Sequence, residues 1–183
     1  MSQLKRTPAG EALTSLVLPL FRLNSLLLTA GDSLVAGLGL TSARWQVLGA
    51  IVQAARPQPV AWLARDLGAN RQNVQRIIND LHRDGLVALE PNPHHRRAQL
   101  IVLTDKGRAA FDAAMRLQTP WVNRLSDRLS VKDIETVKRV VSALRKSLEH
   151  SAQADEQVGI HGEQLRSAPA RSQSGRGIRT LGR

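Results

Sequence analysis

Apolar residues recur at steps of three and four along most of the chain, which predicts a mainly α-helical fold. The pattern predicts six helices, which cover about residues 9–37, 41–55, 60–67, 71–84, 105–129 and from 130 onward. Pro19 lies inside the first helix and Pro120 inside the fifth, and each predicts a kink or a break. Two short apolar runs, Leu86–Glu90 and Gln99–Leu103, predict the two strands of a β-hairpin.

The fourth predicted helix has an apolar face and a polar face. Its apolar residues recur at i, i+3, i+4 and i+7, from Val74 to Leu81, after Asn70 as a good N-cap. The opposite face carries amides and arginines: Arg71, Gln72, Asn73, Gln75, Arg76 and Asn79. A solvated face of this kind usually mixes Glu and Lys, but here the first acid is Asp80. Because a helix fits the DNA major groove, where Arg bonds guanine and Asn or Gln bonds adenine, the pattern predicts a helix-turn-helix reading helix.

The loop of the predicted hairpin is stiff and basic. Pro91 and Pro93 restrict it, and Arg96 and Arg97 lie at its tip. A narrow minor groove concentrates negative potential and accepts arginine, so these two residues are candidates for minor-groove contact. A solvated loop is the alternative. Together with the fourth helix, the hairpin predicts a winged helix-turn-helix with a two-stranded β-wing.

The charge of the chain indicates a polyanionic partner. The formal net charge is +11 and the pI is about 11.5, and residues 1–150 alone contain 21 Lys and Arg against 12 Asp and Glu. Such an excess attracts nucleic acid through Coulomb forces and counterion release. A general solubility charge is the alternative.

Several other classes of protein are disfavoured. The chain has no cysteine, which excludes disulfides, thiolate metal sites and thiol redox switches. His82, His94 and His95 have no acid cluster beside them, and neither a nucleophile elbow nor a Gly-rich phosphate loop is present. We therefore expect no metal, no cofactor and no enzymatic activity. No uninterrupted apolar run approaches the roughly 20 residues of a membrane span, so we expect a cytoplasmic protein.

The chain has four predicted regions. Residues 1–39 form an N-terminal helix region and residues 40–103 the winged lobe. Residues 104–150 form C-terminal helices, the last with a coiled-coil-like stripe from Ile134 to Leu148. Residues 151–183 are rich in Ser, Gln, Gly, Pro and Arg, which predicts a disordered basic tail.

The stretch from Leu40 to Gly107 resembles the multiple-antibiotic-resistance regulator (MarR) family. The segments that carry the resemblance are LTSARWQVLGAI, VAWLARDLGANRQNVQRIINDLHRDGLV and PNPHHRRAQLIVLTDKG, and flanking helices extend it to about residues 10–150. Two positions depart from the family. Asn92 and His95 stand where the family often has acids that orient the wing arginines, which predicts a more basic and looser wing.

The resemblance implies a homodimer in which the first, fifth and sixth helices interlock, so that 1–39 and 104–150 are dimerisation regions. It also implies binding to double-stranded DNA at a pseudo-palindromic operator, with the fourth helix in the major groove and Arg97 in the minor groove. Repression is the commoner mode of the family. Many members bind a small-molecule effector between the dimer body and the winged lobe, a region near Trp45 and Trp62 by chain order, but no ligand residues follow from this.

Two other functions remain open at this point. A winged helix can act as a protein-binding adaptor, which would need exposed apolar residues on the fourth helix. A non-specific, nucleoid-type protein could coat DNA, which would give steep salt dependence without sequence preference.

Overall fold

A computed structural model describes residues 5–95 and 97–166 of the protein, with side chains up to residue 151. Arg96 and the part of the predicted tail from 167 to 183 lie outside the described residues. The chain divides into two compact units, Met1–Asp127 and Arg128–Arg183, which are described separately.

The predicted order of helices and hairpin strands is confirmed. The helices are α1 (Pro8–Val35, followed by a 3₁₀ turn at Ala36–Leu38), α2 (Ser42–Gln53), α3 (Val60–Asp66), α4 (Arg71–Arg83), α5 (Asp105–Ser126) and α6 (Val131–Arg166). The strands are β1 (Gln58–Pro59), β2 (Val87–Glu90) and β3 (Leu100–Leu103). The side chains of Thr41, Asn70 and Thr104 accept hydrogen bonds from first-turn amides of α2, α4 and α5. These N-caps satisfy N–H groups that have no partner inside a helix, so they fix where each helix begins.

Neither proline breaks its helix, so of the two predicted alternatives, a kink or a break, the break is wrong. α1 continues through Pro19 and α5 continues through Pro120. A proline removes one helical N–H donor, while the turns on either side keep their own hydrogen bonds. Both prolines are exposed, so water can bond the carbonyl groups that lose a partner.

The small sheet has three strands in the order β1-β3-β2, all antiparallel. The hairpin pairs Val87 with Leu103 and Glu90 with Leu100, as its pattern predicts. The third strand, β1, was not predicted, because it has only two residues and one is Pro59. A proline is tolerated in an edge strand, and β1 occupies the edge opposite β2.

The core of the first unit joins the helices to the sheet. Leu48 of α2, Leu63 of α3, Ile78 of α4 and Ile101 of β3 are almost completely buried in one cluster. α5 begins against the hairpin at Gly107, where an added Cβ would lie 1.9 Å from the carbonyl oxygen of Leu86. The absence of a side chain at this position therefore sets how closely α5 approaches the wing.

Most of α1 is apolar and exposed. Leu18, Phe21 and Leu26 are 72%, 67% and 65% exposed. Against the expectation of no membrane span, an 18-residue window within Pro8–Leu38 has a mean hydropathy of 1.5, enough by length and composition for one. A core helix of a soluble protein and a signal sequence near the N-terminus reach the same value. The described part of the chain leaves this apolar surface uncovered.

The second unit contains α6, which begins after a Ser130 cap. The Ser130 hydroxyl accepts the N–H of Asp133 at 3.1 Å and donates to the Asp133 carboxylate at 2.6 Å. The helix continues to Arg166. The disordered basic tail expected over residues 151–183 stays a prediction.

Candidate nucleic-acid interface

The buried side of α4 sets the orientation of the helix. Val74, Ile78 and Leu81 are at most 1% exposed. Gly68 has a φ of 61° in the turn before the helix, a left-handed conformation that favours glycine. The Asn70 Oδ1 atom then accepts the N–H of Gln72 at 2.8 Å. Because the helix is anchored at its start and along one side, the opposite side points away from the core.

The exposed side of α4 carries the polar residues predicted to contact DNA. All six are exposed: Arg71, Gln72, Asn73, Gln75, Arg76 and Asn79. Gln75 donates to Asn79 Oδ1 at 3.0 Å, and Arg76 donates to Asn73 Oδ1 at 3.4 Å. The one acid of the helix, Asp80, is paired with Arg83 at 2.5 Å. The face therefore presents donors, acceptors and positive charge.

The wing loop is held by hydrogen bonds to its own backbone. Asn92 Oδ1 accepts the N–H of His94 at 3.0 Å, and the carbonyl of Asn92 accepts the N–H of His95 at 3.2 Å. A further turn joins Ala98 N–H to the carbonyl of His95 at 3.0 Å. Asparagine often closes turns of this kind, and the looser wing expected from the missing acids stays a prediction. Arg97 is exposed beside these turns.

An ion pair that the sequence pattern did not reveal braces the C-terminal end of α4. Arg44 of α2 forms it with Asp84, and its guanidinium also donates to the carbonyl of Gly39 at 3.0 Å. Lys106 of α5 donates to the carbonyl of Asp84 at 2.7 Å. The Arg44 side chain is only 19% exposed, so solvent screens this pair less than a surface pair. The brace ties α4 to α2 and α5.

One of the three histidines considered for a metal site, His82, has a structural contact. His82 Nδ1 lies 3.1 Å from the carbonyl oxygen of Val87, which joins the end of α4 to β2. Across the described part of the chain, no group of three or more His, Cys, Asp or Glu side chains is placed to hold a metal ion.

A cavity of about 650 Å³ lies between α2, the end of α3 and α5. Trp45, Phe111 and Met115 contribute apolar wall, whereas Trp62 lies on the surface. The polar lining consists of four glutamines and one carboxylate, that of Asp66, and no described basic side chain lines it. The Oε1 atom of Gln58 is buried and has no hydrogen-bond partner among the described residues.

Sequence comparison shows that the chain is similar to transcription regulators. Residues 38–98 match the model of the MarR family. An uncharacterised protein of Mycobacterium tuberculosis is 37% identical over 140 residues, covering 74% of this chain and 96% of that protein. The transcriptional activatory protein BadR of Rhodopseudomonas palustris is 32% identical over 128 residues, covering 68% of this chain and 73% of BadR.

Solved structures with a similar fold include complexes with DNA. The M. tuberculosis transcriptional regulator MosR in complex with DNA is 28% identical, with a TM-score of 0.63, covering 73% of this chain and 96% of MosR. A mutant MarR of E. coli with operator DNA is 25% identical, with a TM-score of 0.60, covering 70% of this chain and 94% of MarR. Both similarities extend well beyond the winged lobe.

Proposed function

The chain belongs to the MarR family of DNA-binding transcription regulators. We propose that it binds a pseudo-palindromic operator as a homodimer, and that a small molecule releases the dimer from the DNA. The observation that carries the proposal is the exposed face of α4, where six amide and arginine side chains stand over a buried apolar anchor. This surface is suited to binding, and the proposal assigns the chain no catalytic activity.

In this proposal α4 lies in the major groove. Arg71 and Arg76 bond guanine edges, the amide side chains bond adenine edges, and the N–H groups at the start of α4 contact phosphate. The wing lies along the adjacent minor groove, with Arg97 inserted. Arg96, the other candidate for this contact, lies outside the described residues. The absence of an unpaired acid on the described reading face supports this assignment, because a carboxylate there would repel the DNA backbone.

A second copy of the chain covers the apolar surface of α1. The last turns of α1 pack into the core of their own unit, where Val35 is buried and the Ser42 hydroxyl donates to the Leu28 carbonyl at 2.7 Å. A helix held in this way favours a protein partner over a bilayer, and the proposal places the protein in the cytoplasm. α6 has its own exposed apolar residues, including Val137 at 59% and Leu148 at 71%. A two-fold dimer carries two reading helices, which requires a two-fold site.

The cavity beside α2 and α5 is the proposed effector site. Burial of an anion is costly without a basic partner, so this lining favours an uncharged aromatic molecule that forms hydrogen bonds with the glutamine side chains. Asp66 and Leu67 line the cavity and directly precede the Gly68 turn into α4. A molecule bound there would displace the turn and change the spacing of the two reading helices.

We infer repression as the mode of regulation. A dimer on an operator blocks polymerase by occupying the DNA, which needs no further contact surface. BadR is named an activator, so activation is the competing outcome. Deletion of the gene in its own host decides between the two. The measurement is whether transcripts from promoters that contain the operator rise or fall. A fall in these transcripts would contradict repression.

Selection of duplexes from a random DNA pool at physiological salt tests the DNA-binding proposal. We expect enrichment of a two-fold symmetric motif. Enrichment of a single half-site would contradict the dimer, and retention without enrichment would indicate the coating function. If no duplex is retained at all, the protein-binding adaptor becomes the better explanation.

A further inference from the structure

Trp62 lies outside both the core and the cavity, between two arginines. The ring is on α3 and the residue is 42% exposed. The guanidinium carbon of Arg56 lies 5.6 Å from the ring centroid, and that of Arg65 lies 5.9 Å from it. We call these three residues the Trp62 cluster. Each distance is within the range of a cation–π interaction, so one ring orders two positive charges.

The positive charge of the Trp62 cluster is poorly compensated within the chain. Arg65 approaches Asp66 only at 3.9 Å, with the arginine side chain 75% exposed, and such a surface pair is weak. Arg56 forms no ion pair among the described residues. Two exposed guanidinium groups on one ring form a local concentration of positive charge that an anion would neutralise.

The position of α3 indicates which anion that is. α3 and α4 are the two helices of the helix-turn-helix, and in such units the first helix crosses the DNA backbone while the second enters the groove. α3 packs inward through Val60 and Leu63. Trp62 and Arg65 are therefore among the α3 side chains left free to meet a phosphate strand.

We propose that the Trp62 cluster binds backbone phosphate of the DNA next to the bases that α4 reads. Arg56 and Arg65 donate to phosphate oxygens, a geometry to which the planar guanidinium is well suited. Trp62 is a positioning residue that holds both guanidinium groups. This inference rests on the proposed DNA binding, but it adds a contact that carries no sequence information.

The salt dependence of DNA affinity tests the proposal with the full-length protein. Binding to the selected operator and to an unrelated duplex is measured at several salt concentrations for Arg56→Ala, Arg65→Ala and Trp62→Leu. For each arginine variant we expect the affinity to fall equally for both duplexes. The slope of log affinity against log salt concentration should become shallower by about 0.9 for each lost phosphate contact, and a dimer loses two such contacts. Trp62→Leu should weaken binding and Trp62→Phe should restore most of it, because phenylalanine keeps a ring face.

Arg145→Ala on α6 is the matched control, since it removes the same charge from an exposed helix position. Arg56→Lys and Arg65→Lys keep the charge and check that any loss is not a folding defect. If the cluster variants match Arg145→Ala in salt slope and in DNA affinity, the inference is overturned. The alternative would then be that the Trp62 cluster binds an acidic protein partner. If Arg76→Ala on α4 also has no effect, the proposed DNA reading fails as well, so the two failures are distinguishable.

Discussion

α4 and α1 are both largely exposed helices, but they expose opposite chemistry. α4 buries its apolar residues in its own lobe and turns amides and arginines outward. α1 buries only Gly31 and Val35 and turns leucines and Phe21 outward. The difference is that α4 covers its apolar side within its own lobe, whereas the apolar side of α1 is left uncovered by the described part of the chain.

The largest effect should come from charging α1. Replacement of Leu18 and Phe21 by Lys places two charges on its most exposed apolar surface, so we expect the dimer to dissociate. A monomer has one reading helix instead of two, so it loses the avidity of two linked binding sites. We expect its affinity for the operator to fall roughly 10²–10⁴-fold. Sedimentation and operator titration measure the two changes. Replacement of the same two residues by Met, which keeps the surface apolar, is the control. A charged variant that stays dimeric would show that α1 is not the interface.

The anchor of α4 gives the next largest effect. Ile78→Ala removes a fully buried side chain, and the expected loss is about 2–5 kcal/mol of the free energy of unfolding. Urea denaturation at fixed protein concentration measures it. Leu125→Ala on α5, where the leucine is 54% exposed, is the comparison. Equal losses in the two variants would mean that α4 is not anchored through Ile78.

Single arginines of the reading surface should have smaller effects. Arg76→Ala and Arg97→Ala should each cost about 1–3 kcal/mol of specific binding if they contact a base or a groove. Competition between the selected operator and an unrelated duplex measures the specificity. Arg83→Ala provides a control on the same helix, since that arginine is already paired with Asp80. If both Arg76→Ala and Arg97→Ala leave the affinity for the operator unchanged, the assignment of these residues to DNA contact is wrong, although the fold stands.

The smallest effect is expected at the N-cap of α4. Asn70→Ala leaves the amide of Gln72 without its partner and should cost about 1 kcal/mol of the free energy of unfolding. Thermal denaturation measures the change. Asn70→Asp keeps an acceptor oxygen and should be close to the unsubstituted protein. A loss in the aspartate variant equal to that in the alanine variant would exclude the cap as the cause.

Local features of the sequence predicted most of the helices and the face of α4. The apolar spacing and the caps at Thr41, Asn70 and Thr104 act within one turn, so they can be identified without knowing the fold. The residues for DNA contact were predicted in the same way. The structure locates the described ones on an exposed surface, and their contacts with bases remain a prediction.

Other features of the site depend on contacts between distant parts of the chain. The Arg44–Asp84 pair joins residues 40 positions apart, and β1 exists only because Gln58 meets Ile101. The Trp62 cluster likewise brings Arg56 from the loop after α2 onto the ring of a residue in α3. No local pattern specifies which of many arginines will meet which acid or ring.

The order of the helices, the hairpin and the polar face of the reading helix follow from the amino-acid sequence alone, because helical hydrogen bonds and side-chain periodicity act over a few residues. Two other features appear only in the folded chain: α5 closes on the hairpin at Gly107, and a cavity opens beside Trp45. These features result from how helices pack, and packing depends on the shape of surfaces that the folded chain brings together.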